Sequence, residues 1–243
     1  MTSLKNRLDA YEQLLRLHQP SYIFLLLWPT LLALWLATGG HAPLSLVIIF
    51  VMGTLLMRSA GCAFNDWFNR ESGHKDNLLA QSAIAPWEAL AVAAALTLIA
   101  FCFVWFTNSM AITFSAVALV LALALTLLHS LFRRVLSAPQ ALLGIAFSFG
   151  IPIAFAAANH AVPWYALILM GINVLWVLAY DIEYAMANRD KDTERGYRSF
   201  ALILGRYDVL AVAVCYGLYL AGMAGIGLWL RLGMAYGIAL TLA

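Results

Sequence analysis

With 64% of its 243 residues hydrophobic and only 11% charged, the chain lies far from the soluble average of roughly 25% charged residues, which excludes a soluble globular protein and points to a polytopic membrane protein. The net charge of +2 averages over basic connections and neutral apolar runs, and it suggests no nucleic-acid partner. Cys62, Cys102 and Cys215 stand far apart on apolar runs, a distribution that suits small buried filler rather than a disulfide framework or a zinc site.

The first stretch, LKNRLDAYEQLLRLHQP, spreads Leu4, Leu8, Leu14, Leu15 and Leu17 among charges. It predicts an amphipathic helix at the cytoplasmic interface, within an interfacial segment over residues 1–19. Apolar runs follow at about 20–38, 43–64, 88–106, 109–128, 138–158, 163–187 and 207–228. Each approaches or exceeds the ~20 residues that a helix needs to cross the hydrocarbon layer. The runs are continuous, without the alternation of period two that a barrel needs. The first run is expected to be retained rather than cleaved, because charged residues precede it and further spans follow. Gly150 and Pro152 are expected to bend the fifth run. From about Gly233 the chain is apolar for roughly half a span, so it is expected to be short at its C-terminus. The expected fold is therefore all-α: a polytopic transmembrane helical bundle of about seven full spans plus a partial eighth, in one membrane-embedded domain over residues 1–243.

Basic residues set the orientation. Lys5, Arg7 and Arg16 precede the first span; Arg70 and Lys75 follow the second, Arg133 and Arg134 the fourth, and Arg189, Lys191, Arg195, Arg198 and Arg206 the sixth. The alternate connections GGHAP, TN and NHAVP carry none. The positive-inside rule then places the N-terminus and these loops in the cytoplasm, with the chain expected in a bacterial inner membrane.

Two polar segments, 65–84 and 180–200, hold eight of the twelve acidic residues. Both follow even-numbered spans, so in a bundle they could converge on one cytoplasmic cavity. Asn65 and Asn69 are four apart with Asp66 beside them, and Arg58 lies seven residues before Asn65 on the same helical face. An arginine inside a span is costly unless it is paired or lines a polar cavity. In the second segment Asp181, Tyr184 and Asn188 recur at helical spacing, and Asn188 and Asp192 are again four apart. Asp and Asn at such spacing on two facing helices could hold magnesium, which takes oxygen ligands and completes its shell with water and phosphate. The same residues also suit solvated helix ends, caps or partners of nearby arginines.

The blocks LLLWPTLLALWLATGG, LMRSAGCAFND, PQALLGIAFSFGIPIAFAA and NVLWVLAYDIEYAMANRDKD together resemble the UbiA superfamily of intramembrane aromatic prenyltransferases, most nearly those acting on 4-hydroxybenzoate in ubiquinone biosynthesis. The resemblance runs in order from about Leu15 to Leu232. It implies a bundle, usually of nine transmembrane helices, with a cavity that opens to the cytoplasm. It implies transfer of a polyprenyl group from its diphosphate to the ring of the aromatic acid, with Mg2+ bridging diphosphate oxygens to two motifs of the form NDxxDxxxD and DxxxD.

Carried over residue by residue, the resemblance implies Asp66, Asp181 and Asp192 as catalytic residues and Asn65, Asp66, Asn69, Asn188 and Asp192 as the metal-facing set. It implies Arg58, Arg133, Arg134, Tyr184 and Arg198 as substrate-binding. Asn65 and Asp66 match the opening of the first motif and Asp192 the close of the second. Asn69 and Asn188 stand where the motifs have Asp, and the third Asp of the first motif falls near Ser72. An amide oxygen can coordinate magnesium but brings no charge, so a weakened metal site is expected. Beside the active enzyme, the same losses would suit an inactive paralogue that binds polyprenyl lipid or a quinone-biosynthesis complex. A small membrane transporter is the third reading, with Arg58 and the acidic segments on its pathway.

Overall fold

The computed structural model describes residues 4–18, 21–68, 70, 84–132, 139–194 and 199–242, and these form helices, turns and short connections without a strand. In chain order the helices are α1 (Leu4–Leu14), α2 (Ser21–Ala37), α3 (Leu44–Phe68), α4 (Pro86–Trp105), α5 (Ser109–Phe132) and α6 (Pro139–Ser148). They continue as α7 (Gly150–Asn159), α8 (Trp164–Ala187), α9 (Arg189–Glu194), α10 (Phe200–Leu204), α11 (Asp208–Trp229) and α12 (Met234–Leu242). Among the described residues four helical stretches are long and apolar enough to cross a membrane: Leu44–Phe68, Pro86–Trp105, Trp164–Ala187 and Phe200–Trp229. Shorter apolar helical stretches cover Ser21–Ala37, Ser109–Leu125 and, across the junction of α6 and α7, Gly144–Asn159. All seven stretches overlap the runs legible in the sequence. Large apolar side chains such as Leu98, Val120 and Leu218 point outward from them, as spans solvated by hydrocarbon require.

The chain divides into two compact units, Met1–Ala116 with Ala156–Ala161, and Val117–Phe155 with Val162–Ala243. In the first, α2 packs along α3 and α3 along α4. Ala63 on α3 meets Ala89 and Ala93 on α4, and these small residues let the backbones approach closely in a core shared with Ala10, Leu14 and Ile84. Helix α1 docks on that core through Ala10 and Leu14, while Leu8 and Leu17 remain exposed. Its polar face is tied to α4, where Glu88 accepts hydrogen bonds from Tyr11 Oη at 2.6 Å and Arg7 at 3.0 Å. Asn108 opens α5: its Oδ1 accepts from the Ala111 N–H, and its Nδ2 donates to the carbonyls of Ala156 and Ala157.

In the second unit α8 is central, packed by α6 and by α11. A Cβ on Gly144 would lie 3.2 Å from Val174 Cγ1, and one on Gly222 would lie 2.8 Å from Ile172 Cδ1. Asn173 Nδ2 donates to Ser148 Oγ, which donates to the Gly144 carbonyl, each at 2.8 Å, so both buried polar side chains are satisfied between apolar helices. Instead of one bent span over 138–158, α6 and α7 are separate helices that meet at Phe149. Pro152 has no N–H to offer the Ser148 carbonyl, so the helical ladder opens there. A turn at Gly205, whose φ of +54° is disfavoured for side chains with a Cβ, joins α10 to α11 through a single 3-10 turn at Gly205–Tyr207.

Candidate active site

In the first unit the chemistry-bearing residues lie on the second half of α3. Positions 58, 62, 65 and 66 recur at helical spacing, which brings them near one face. Arg58 lies ten residues before the end of α3, roughly 15 Å along the axis at 1.5 Å per residue. Its guanidinium donates to Cys62 Sγ and sits over the Tyr22 ring, 5.3 Å from the centroid. This cation–π contact and the thiol give the charge partners inside the span.

One turn past Cys62, Asp66 is 4% exposed, and its Oδ1 accepts a 3.2 Å hydrogen bond from Arg16. Arg16 follows α1 at a φ of +54°, so the docking of α1 carries it to the end of α3. Sequence spacing offers no rule that joins residues 50 positions apart, and this partner was not legible. Asn65 is exposed beside it. Arg70 donates to the Trp67 carbonyl and stacks on the Trp67 ring, 4.9 Å from its centroid.

In the second unit the residues cluster where α8 gives way to α9. Asp181 lies in the last two turns of α8, and its Oδ2 is buried without a hydrogen-bond partner among the described residues. Asn188 closes α8, its Nδ2 donating to the Tyr184 carbonyl at 2.9 Å. The Asp192 N–H donates to the Asn188 carbonyl at 2.9 Å, so α9 carries Asp192 onward one turn later. Tyr184 is 51% exposed. Glu183 accepts from Tyr216 Oη at 3.2 Å, which ties α8 to α11. Arg189, another residue outside the predicted set, pairs with Asp208 at the start of α11 and reaches the Ala201 carbonyl at 3.4 Å.

The structure thus brings Arg58, Asn65 and Asp66 together on α3, and Asp181, Tyr184, Asn188 and Asp192 together at the end of α8 and on α9. Asn69, Arg133, Arg134 and Arg198 lie outside the described residues. No three His, Cys, Asp or Glu side chains converge as a metal cluster among the described residues. Magnesium needs only one or two carboxylates when water and phosphate complete its shell, and the Asp181 carboxylate, with one buried oxygen left over among the described residues, fits that demand.

A sequence profile of the UbiA prenyltransferase family matches residues 26–243. This chain belongs to that family. The 4-hydroxybenzoate octaprenyltransferase of Nitrosospira multiformis is 48% identical to it over 246 residues, covering 99% of this chain and 83% of that protein. The 4-hydroxybenzoate octaprenyltransferase of Ralstonia nicotianae is 45% identical over 247 residues, covering 100% and 84%. The apo structure of a UbiA homolog from Aeropyrum pernix K1 matches with a TM-score of 0.69 at 23% identity, covering 90% of this chain and 83% of that one. That likeness shows the fold, an all-helical UbiA architecture. Membership makes the chain an integral-membrane prenyltransferase, in a family whose members are generally magnesium-dependent.

Proposed function

We propose that this chain transfers a polyprenyl group from polyprenyl diphosphate to the ring of 4-hydroxybenzoate, releasing pyrophosphate, as a step of ubiquinone biosynthesis. The observation that carries this reading is the 45–48% identity, over nearly the whole chain, to proteins named for that reaction. The reaction breaks the allylic C–O bond, forms a bond from the prenyl carbon to the ring, and expels the ring proton.

Arg58 suits the aromatic acid. A guanidinium held within the apolar span and backed by the Tyr22 ring offers a planar donor pair to a carboxylate, and that pairing would offset the cost of its charge inside the span. Asp66, Asp181 and Asp192 are the acidic groups that we assign to the metal and diphosphate chemistry, with Asn65, Asn69 and Asn188 as neutral oxygen donors. Bound magnesium would offset the negative charge that grows on the diphosphate as the allylic bond breaks. Arg133, Arg134 and Arg198 are assigned to diphosphate oxygens because each is basic and falls in a connection that the charge pattern places at the cytoplasmic face. Tyr184 is assigned to the substrate on its position one turn before Asn188. The same charge pattern supports an orientation with the N-terminus and the acidic helix ends cytoplasmic, and the bacterial sources of the similar octaprenyltransferases support an inner membrane.

The test uses purified chain in detergent with polyprenyl diphosphate, 4-hydroxybenzoate and magnesium, read by pyrophosphate release and by the prenylated product. Turnover lost in Asp66→Ala is the expected result. Wild-type turnover no greater than that of Asp66→Ala would overturn the reading in favour of a non-catalytic relative.

A further inference from the structure

Helix α9 spans six residues, far fewer than a helix needs to hold itself in water. It nevertheless carries Asp192, one of the acidic groups assigned above to the metal. Continuity with α8 is weakened at the joint, because Asn188 leaves helical geometry with φ −108° and ψ 12°. The position of Asp192 must therefore be fixed by an anchor beyond its own helix.

Arg189 has the right connections. It is the first residue of α9, between Asn188 and Asp192, and its guanidinium turns away from both, toward the start of α11. There it pairs with Asp208, which is 6% exposed, and reaches the Ala201 carbonyl on α10. Asp208 is itself held, since its Oδ1 accepts from the Val209 N–H at 2.6 Å. It also stands in the first turn of a 22-residue helix, where a carboxylate is favoured by the helix dipole. Main-chain closure comes from the same residue, because the Arg189 carbonyl accepts from Thr193 Oγ1 at 2.8 Å, across the turn that contains Asp192. One side chain thus ties the support of Asp192 to the long, well-packed α11.

We propose that Arg189 and Asp208 form a positioning pair that fixes α9 at the end of α8 and so holds Asp192 in place for a divalent cation. The proposal rests on the magnesium-dependent reading above, and it gives roles to two residues that need touch neither substrate nor metal. A carboxylate held in place before the cation arrives binds it without first having to be ordered.

The probe is Mn2+ with the purified full chain, followed by the free-ion electron paramagnetic resonance signal and accompanied by thermal unfolding without metal. Arg189→Gln and Asp208→Asn should each raise the Mn2+ dissociation constant about tenfold, the lower end of what partners behind a metal ligand contribute. Arg189→Lys, which keeps the charge, should stay within about threefold of wild type, since the lysine loses fork geometry but not attraction. Asp192→Asn should abolish most of the binding and so locate the site. Gly222→Val, placed to destabilise the α8–α11 packing at a distance from the pair, should keep wild-type affinity despite a lowered unfolding temperature. Wild-type affinity in both Arg189→Gln and Asp208→Asn overturns the positioning role; so does an equal loss in Gly222→Val, or a wild-type chain that binds no Mn2+. Should Arg189→Gln fail to fold, Asp208→Asn, which preserves side-chain shape, decides by itself. Mn2+ binding by a wild-type chain that transfers no prenyl group would overturn the proposed reaction and leave the positioning role standing.

Discussion

At the scale of single residues, Asn188 is where charge and local structure trade against each other. Its amide donates to the Tyr184 carbonyl, a bond that an aspartate in its place cannot make, at a cost of about 1 kcal/mol. Against this, a carboxylate there adds a unit of attraction to a bound divalent cation, and at an effective dielectric of 20 opposite unit charges 4 Å apart gain ~4 kcal/mol before screening. The electrostatic gain exceeds the lost bond. Asn188→Asp is therefore expected to lower the half-saturating magnesium concentration by about tenfold, or ~1.4 kcal/mol, with a slightly lower unfolding temperature in metal-free buffer. An unchanged magnesium requirement would remove Asn188 from the metal-facing set. The motif positions themselves were legible as residue types. The burial of Asp66 and its pairing with Arg16 were not, because a side-chain partner 50 residues away follows from helix docking and not from spacing.

At the scale of elements, α1 shows how an amphipathic pattern becomes a docked helix. The leucines predicted a helix at an interface, yet Ala10 and Leu14 are the side chains buried on α3 and α4. The contact is sealed by Tyr11 and Arg7 on Glu88. The hydrogen bond to Glu88 raises the Tyr11 pKa above its usual value of 10, with burial adding to it. The folded pKa lies above the unfolded one, so this contribution is whole below about pH 10 and is lost as the pH rises through the folded value. Tyr11→Phe should lower stability by about 1 kcal/mol near neutral pH. Unfolding curves of the two proteins should converge above pH 10, and a gap that widens with pH would contradict the assignment.

The α8–α11 contact makes a second prediction at this scale. A Cβ on Gly222 would lie 2.8 Å from both Cδ1 and Cγ1 of Ile172, so Gly222→Val overpacks the interface and should cost about 1–3 kcal/mol. The cost should shrink when Ile172 is already alanine, a coupling that a double-mutant cycle on detergent unfolding would measure. Strict additivity would mean that the helices part rather than clash. The break at Phe149 was half visible: Pro152 marked the place, and the missing donor to Ser148 turned an expected bend into two helices.

At the scale of the whole molecule, the basic residues follow the spans in alternation, which predicts topology independently of any packing. In a background with Cys62, Cys102 and Cys215 replaced, Gln13→Cys at the end of α1 should be labelled by an impermeant maleimide only after the membrane is opened. His41→Cys, exposed in the turn after α2, should be labelled in intact spheroplasts. The reverse pattern would invert the proposed orientation. Chelation gives a second global test: removing divalent cations should abolish transfer, and added magnesium should restore it without refolding.

Composition and hydrophobic run length determined by themselves that this is an all-helical membrane protein, where its apolar helices lie and which connections carry the charge. Those properties are local, since each ~20-residue run meets the bilayer condition alone. Tertiary structure decided that Arg16 reaches Asp66, that Arg58 rests on Tyr22 and Cys62, and that Arg189 is braced by Asp208. In the bilayer the hydrophobic effect that places a helix across the membrane does not choose its neighbours. The choice is made by small residues such as Ala63, Ala89 and Gly222 and by a few buried polar pairs, whose partners exist only once the helices have packed.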